Sequence, residues 1–284
     1  MPKLAKFNKI TLSMANKFHK KINIGIFGFG NMGQAIFKLL RQNQTDKQLN
    51  FYICSIGLKK IKGATCLNSF DKLIKKCDIV FLCIKPRDFY NLKPVAPNNK
   101  IFISIMAGVK IVNIKKIVNS QKVIRIMPNL PLQVGRGVSA WFADKKQLAK
   151  NQLAIVKKLF SVFGYNFEVG RESNLDKITA ISGSGPAYVF LFMDALIKAT
   201  INLGFAKKQA EEIVLHLLYG SLAYYKSVKN LYTPSELINM VKSKKGTTEA
   251  ALNKLNVKNF YKQWRSAVAA AHQRAKQISK YSPR

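Results

Sequence analysis

Two stretches carry residue types at spacings that can do chemistry. In the first, Gly28, Gly30 and Gly33 stand in a GxGxxG spacing, with Phe29, Asn31 and Met32 between them. Such a turn cradles a pyrophosphate. The first glycine permits the tight turn, the second lets the backbone approach the phosphates, and the third lets a following helix press on the preceding strand. The free amides of that helix then face the anion. The second stretch is Lys242-Ser243-Lys244-Lys245-Gly246-Thr247-Thr248. Its hydroxyls and free amides suit a carboxylate. It is not a phosphate-binding P-loop, which places its glycines first and follows a strand.

The flanking elements suit these roles. Ile22, Ile24, Ile26 and Phe27 form a short β-branched and aromatic run, expected as a strand covered on both faces. Met32, Ala35, Ile36, Leu39 and Leu40 then recur at helical spacing. After the polar turn 42–48, a second strand is expected over 51–55. An NAD site usually has Asp or Glu at that strand's end. Here Ser55 stands there with Lys59 and Lys60 close behind, which favours a 2′-phosphate and hence NADP. Further strands are expected at 79–84, 101–106, 123–127 and around 135–141, with helices over 70–76, capped by Ser69, 109–118 and 146–163. Ligands on open α/β sheets gather at the C-terminal ends of strands, so Cys83, Lys85 and Pro86 are placed to border the nicotinamide half of a dinucleotide.

Beyond Glu172 the texture changes to helices alone, expected over 175–181, 188–200, 207–225, 234–241, 249–255 and 260–278. Thr233, Pro234 and Glu236 make a strong start: threonine cap, proline at the first helical position, glutamate at the third. Helices apolar all round need burial on more than one side, which points to an oligomer interface. The fold class expected is therefore α/β: an N-terminal Rossmann-type nucleotide-binding domain over 22–172 and a C-terminal all-helical dimerisation domain over 173–284, preceded by a basic extension, 1–21.

Composition bounds the reading. The chain has 284 residues, enough for two domains, and 48% of them are apolar. No run appears apolar for long enough to span a membrane. Lys and Arg number 48 against 13 Asp and Glu, a net +35 that draws anions without specifying one. The lysines are scattered, so no specific nucleic-acid partner is expected. The four cysteines, at 54, 66, 77 and 83, read as reduced thiols, and with three histidines at these spacings no metal site is expected. The expected location is cytoplasmic, with the lysine-rich 1–21 segment leaving organellar targeting open.

The motifs taken together resemble the pyrroline-5-carboxylate reductases, from about residue 22 to 278. The resemblance rests on IGIFGFGNMGQAI, CIKP at 83–86, SIMAG at 104–108, RIMPNLP at 125–131, TAISGSGPAYVF at 179–190 and VKSKKGTTEAAL at 241–252. It implies that 1-pyrroline-5-carboxylate is reduced to L-proline with NADPH ahead of NADH. It also implies a homodimer or homodecamer with active sites shared between subunits. Ser243, Gly246, Thr247 and Thr248 would form the substrate pocket, Thr248 bonding the pyrroline nitrogen, with Asn129 bordering the cleft. The family's loop is close to V-T-S-P-G-G-T-T, and here lysines stand at 242, 244 and 245. Lysine at 245 requires a backbone open to residues other than glycine. Rival readings are a related imine or β-hydroxyacid reductase and a catalytically weakened homologue.

Overall fold

The computed structural model describes residues 21–44, 48–58 and 60–280. The expectations for segment 1–20 and Lys59 lie outside them. Among the described residues a single eight-stranded sheet runs β3-β2-β1-β4-β5-β6-β7-β8. Its strands are β1 (Ile22–Phe27), β2 (Leu49–Cys54), β3 (Thr65–Leu67), β4 (Ile79–Leu82), β5 (Ile101–Ser104), β6 (Val123–Met127), β7 (Gly137–Ala143) and β8 (Gly164–Glu168). All neighbours pair in parallel except β6 and β7, where the chain turns back.

Side-chain alternation sorts the buried residues onto the two faces. Ile79, Phe81, Ile101, Ile103, Ile124 and Ile126 join a core with α1 (Asn31–Asn43) and α5 (Lys150–Ser161). Val80, Leu82, Phe102 and Val123 join the opposite core with α2 (Phe70–Lys76) and α4 (Ile111–Val118). Both faces of β4 and β5 are fully buried, which is why these strands read as unbroken apolar runs. Ser69 caps α2 as expected, accepting from the Lys72 amide at 3.3 Å. Pro86 does more than stop a strand: it opens the short helix α3 (Pro86–Tyr90).

The chain divides into two compact units, one running to Ser184 and resuming at Ala271, the other Gly185–Ala270. This division falls later than the 172/173 boundary expected from texture. The reason is α6 (Asn174–Ile178), whose Leu175 packs with Ala140 and Val169 of the sheet side. The chain's return is fixed by Ser279, whose hydroxyl donates to Asp176 at 2.7 Å.

The remaining helices are α7 (Gly185–Asn202), α8 (Lys207–Val228), α9 (Pro234–Val241), α10 (Thr247–Leu255) and α11 (Val257–Lys280). In the second unit Tyr188 and Phe260 pack edge-on around Trp264. Val189, Phe190, Leu191 and Phe192 of α7 are exposed, as are Leu217, Tyr219, Leu222 and Tyr224 of α8. The expectation that no stretch could span a membrane is corrected here. Asn174–Asn202 forms 29 residues of near-continuous helix, of which an 18-residue stretch has mean hydropathy 1.4, long and apolar enough to cross a bilayer by length and composition. A π turn at Thr179–Gly183 carries the helical path from α6 to α7.

Candidate functional site

The glycine turn sits at the C-terminal end of β1, beside β4, where the strand order reverses. Open α/β sheets bind ligands at that crevice. Gly28 has φ +92, and a Cβ on it would press against the Cys83 carbonyl, 2.7 Å away. A Cβ on Gly33 would run into the Gly28 carbonyl oxygen. Glycine is therefore required at both positions by packing within the protein. Gly30 is different: a Cβ there would meet nothing within 4 Å. Its open side lies at the N-cap of α1, whose cap has no side-chain hydrogen bond and whose first turn has no acidic residue. Backbone amides at Asn31, Met32 and Gly33 thus open a helix N-terminus fit for a pyrophosphate.

Ser55 stands at the end of β2, and its Oγ accepts the Phe29 N–H at 3.3 Å. The serine joins the glycine turn to β2, and among the described residues its own proton has no acceptor. At the end of β4 the Cys83 N–H donates to the Phe27 carbonyl at 2.7 Å. Burial pushes the Cys83 thiol well above its ordinary pKa, so it is a neutral wall. Lys85 is the exposed N-cap of α3, with Pro86 following it. One unit thus brings together the glycine turn, Ser55, Cys83, Lys85 and Pro86.

Asn129 is 9% exposed. Its Nδ2 donates to the Ser182 carbonyl at 3.2 Å and its Oδ1 accepts the Val138 N–H at 2.8 Å. It joins the RIMPNLP turn to the start of β7 and to the π turn, a structural duty the sequence did not signal. Ser243 to Thr248 lie in the other unit. There Gly246 is the N-cap of α10, and Thr247 and Thr248 occupy its first turn. The helix thus begins two residues earlier than its apolar periodicity suggests. The Ser243 carbonyl accepts the Gly246 N–H at 3.1 Å, and a Cβ on Gly246 would strike Ser243 Oγ. Lys245 has φ +59. Its N–H donates to Glu249 at 2.7 Å. The backbone at 245 is therefore left-handed, the region that favours glycine and that lysine enters at a cost.

Residues 172–278 match the family model described as pyrroline-5-carboxylate reductase dimerisation, and residues 23–108 match one described as NADP oxidoreductase coenzyme F420-dependent. Pyrroline-5-carboxylate reductase of Aquifex aeolicus is 34% identical over 264 residues, covering 90% of this chain and 97% of that protein. The chain belongs to the pyrroline-5-carboxylate reductase family. Among solved structures, 1-pyrroline-5-carboxylate reductase of Streptococcus pyogenes superimposes with a TM-score of 0.82 at 30% identity, covering 90% of this chain and 99% of that one. The Plasmodium falciparum pyrroline carboxylate reductase, solved with NADP bound, gives 0.80 at 28% identity, covering 92% and 99%. The dimerisation match spans α7 and α8 and so includes their exposed apolar residues.

Proposed function

We propose that this chain reduces 1-pyrroline-5-carboxylate to L-proline with NADPH as the preferred reductant and NADH as a poorer one. The observation that carries the reading is the 34% identity to the Aquifex aeolicus reductase over 90% of this chain, which spans both the glycine turn and the Ser243–Thr248 loop. When bound, the nicotinamide supplies the hydride that adds to the imine carbon. The open side of Gly30 and the first-turn amides of α1 hold the pyrophosphate. Ser55 donates to the 2′-phosphate, and Cys83, Lys85 and Pro86 border the nicotinamide end.

The substrate's carboxylate suits the amides that open α10, with the Ser243 hydroxyl beside them. Thr248 Oγ1 makes no hydrogen bond within the protein among the described residues and is free to bond the ring nitrogen. This holds the iminium in position as the C=N electron pair moves onto nitrogen, so catalysis is mainly orientation and field. Asn129 borders the same cleft and keeps its wall in place. We place the functional division at 172/173 and complete each active site from two subunits of a homodimer, which can assemble further into a decamer. The exposed apolar residues of α7 and α8 support that pairing. A reducing, cytoplasmic compartment suits the four free thiols.

The test is steady-state oxidation of NADPH and NADH with 1-pyrroline-5-carboxylate, by the full chain and by Thr248→Ala. Turnover that prefers NADPH and falls about ten- to a hundred-fold in the variant supports the reading. NADPH binding without turnover would sink the substrate assignment.

A further inference from the structure

The loop leaving β2 begins with Ser55, carries Lys60 and Lys62, and reaches β3 at Thr65. It is tied to α1 by Arg41 in that helix's last turn. Arg41 Nη1 donates to the Lys62 carbonyl at 2.8 Å. Gly63, next in the loop, has φ +89, and a Cβ there would come within 2.6 Å of the guanidinium carbon. The guanidinium therefore occupies space that a side chain at 63 would claim. The same guanidinium carbon lies 5.8 Å from the centre of the Phe37 ring. Phe37 packs edge-on against Phe29 of the glycine turn at 5.8 Å and Phe51 of β2 at 5.2 Å. At the loop's other end, Ser55 is held by the Phe29 amide. Both ends of the loop thus refer back to the turn that receives the pyrophosphate.

Arg41 forms no ion pair with a carboxylate among the described residues. Among the described residues its positive charge is held by a carbonyl and a ring face and meets no carboxylate. A guanidinium held in this way beside a lysine-bearing loop raises the local potential for a dianionic phosphate, and a loop already held in shape loses less freedom when the phosphate arrives.

We propose that Arg41 is the positioning residue for NADPH over NADH, holding the β2–β3 loop against α1 in the shape that receives the 2′-phosphate. The role rests on the NADPH reading above. It acts through Ser55 and the loop backbone, and NADH, lacking the 2′-phosphate, makes little use of it.

The experiment uses the full chain, Arg41→Gln and Gly63→Ala, the second displacing the guanidinium without removing it. Dissociation constants for NADPH and NADH are read from energy transfer between protein tryptophan and nicotinamide, so the readout does not need turnover, and thermal unfolding is followed in parallel. In both variants the NADPH constant rises about five-fold or more, the size of one lost hydrogen bond, while the NADH constant moves by no more than about two-fold. Equal weakening of both cofactors, or an unchanged ratio with a lower melting temperature, shows a structural tie only and overturns the proposal. An unaltered chain that binds both cofactors equally overturns the NADPH reading, and this inference with it.

Discussion

Arg125 donates through Nη1 to Glu172 Oε1 at 2.8 Å, and the same oxygen accepts the Ile111 N–H at 2.8 Å. One carboxylate therefore joins β6 to the first turn of α4, where negative charge also opposes the positive end of the helix dipole. The Arg125 side chain is 5% exposed, so its charge depends on that partner. Glu172 marks where the sequence changes to helices alone, and the structure makes it the point at which that texture is tied to the sheet.

Glu172→Ala should cost about 3 kcal/mol, because it strands a buried guanidinium and a helix amide together. Glu172→Gln keeps an oxygen for one of the two donors but loses the charge, and falls between. Urea unfolding at fixed protein concentration measures both. A loss below about 0.5 kcal/mol for the alanine variant, the range of an ordinary surface change, would mean that Arg125 finds another partner.

The cysteines give a second test. Burial pushes the Cys77 thiol up to about 12, with the Asp78 charge adding to the effect. Burial also raises Cys54 and Cys83. Cys66 is half-buried on the edge strand β3. At pH 8 a thiol-specific disulfide reagent should therefore label the native protein at Cys66 first, at about one equivalent. Cys66→Ser should abolish that fast phase, and the remaining thiols should react only on unfolding. A fast phase that survives the substitution would show that a core thiol is reached by local opening.

What was legible in the sequence was what local chemistry dictates. The capping box at Thr233 and Glu236 forms as read, with Thr233 Oγ1 accepting the Glu236 N–H at 3.3 Å and the glutamate returning to the Thr233 N–H at 2.7 Å. The glycine spacing, the buried strands and the Ser69 cap are of the same kind. The strands β3 and β8 were not legible. The first is three residues long with no buried side chain, and the second carries Asn166 and an exposed Tyr165, so each is held by its neighbour's backbone rather than by its own pattern. The duties of Asn129 and Arg41 were hidden for a related reason: their partners lie 53 and 21 residues away along the chain.

Ser55 offers a test of cofactor choice by charge. Ser55→Asp places a carboxylate where the 2′-phosphate of NADPH is expected and where the ribose hydroxyls of NADH can donate to it. The ratio of kcat/KM for NADPH to that for NADH should fall about ten- to a hundred-fold, through repulsion of one cofactor and gain for the other. Aspartate also keeps an oxygen for the Phe29 N–H, so the glycine turn should remain in place. An unchanged ratio would put the 2′-phosphate elsewhere than at the end of β2.

Lys245 couples a backbone cost to a charge. At φ +59 a lysine pays about 1 kcal/mol relative to a right-handed conformation. Glycine removes that cost but loses more freedom on folding, so Lys245→Gly should stabilise the protein by only about 0.5 kcal/mol. The Lys245 N–H bond to Glu249 belongs to the backbone and survives the change. If the ammonium instead serves to attract an anionic substrate, the same variant should raise the KM for 1-pyrroline-5-carboxylate at low ionic strength. That difference should shrink at about 0.5 M salt, where screening acts within a few ångströms. Stability and KM rising together would mean that the loop gives up backbone comfort for substrate capture. A stabilised variant with an unchanged KM at every salt concentration would make the lysine a tolerated burden on the loop, and the substrate's carboxylate would then rely on the amides and hydroxyls at the start of α10.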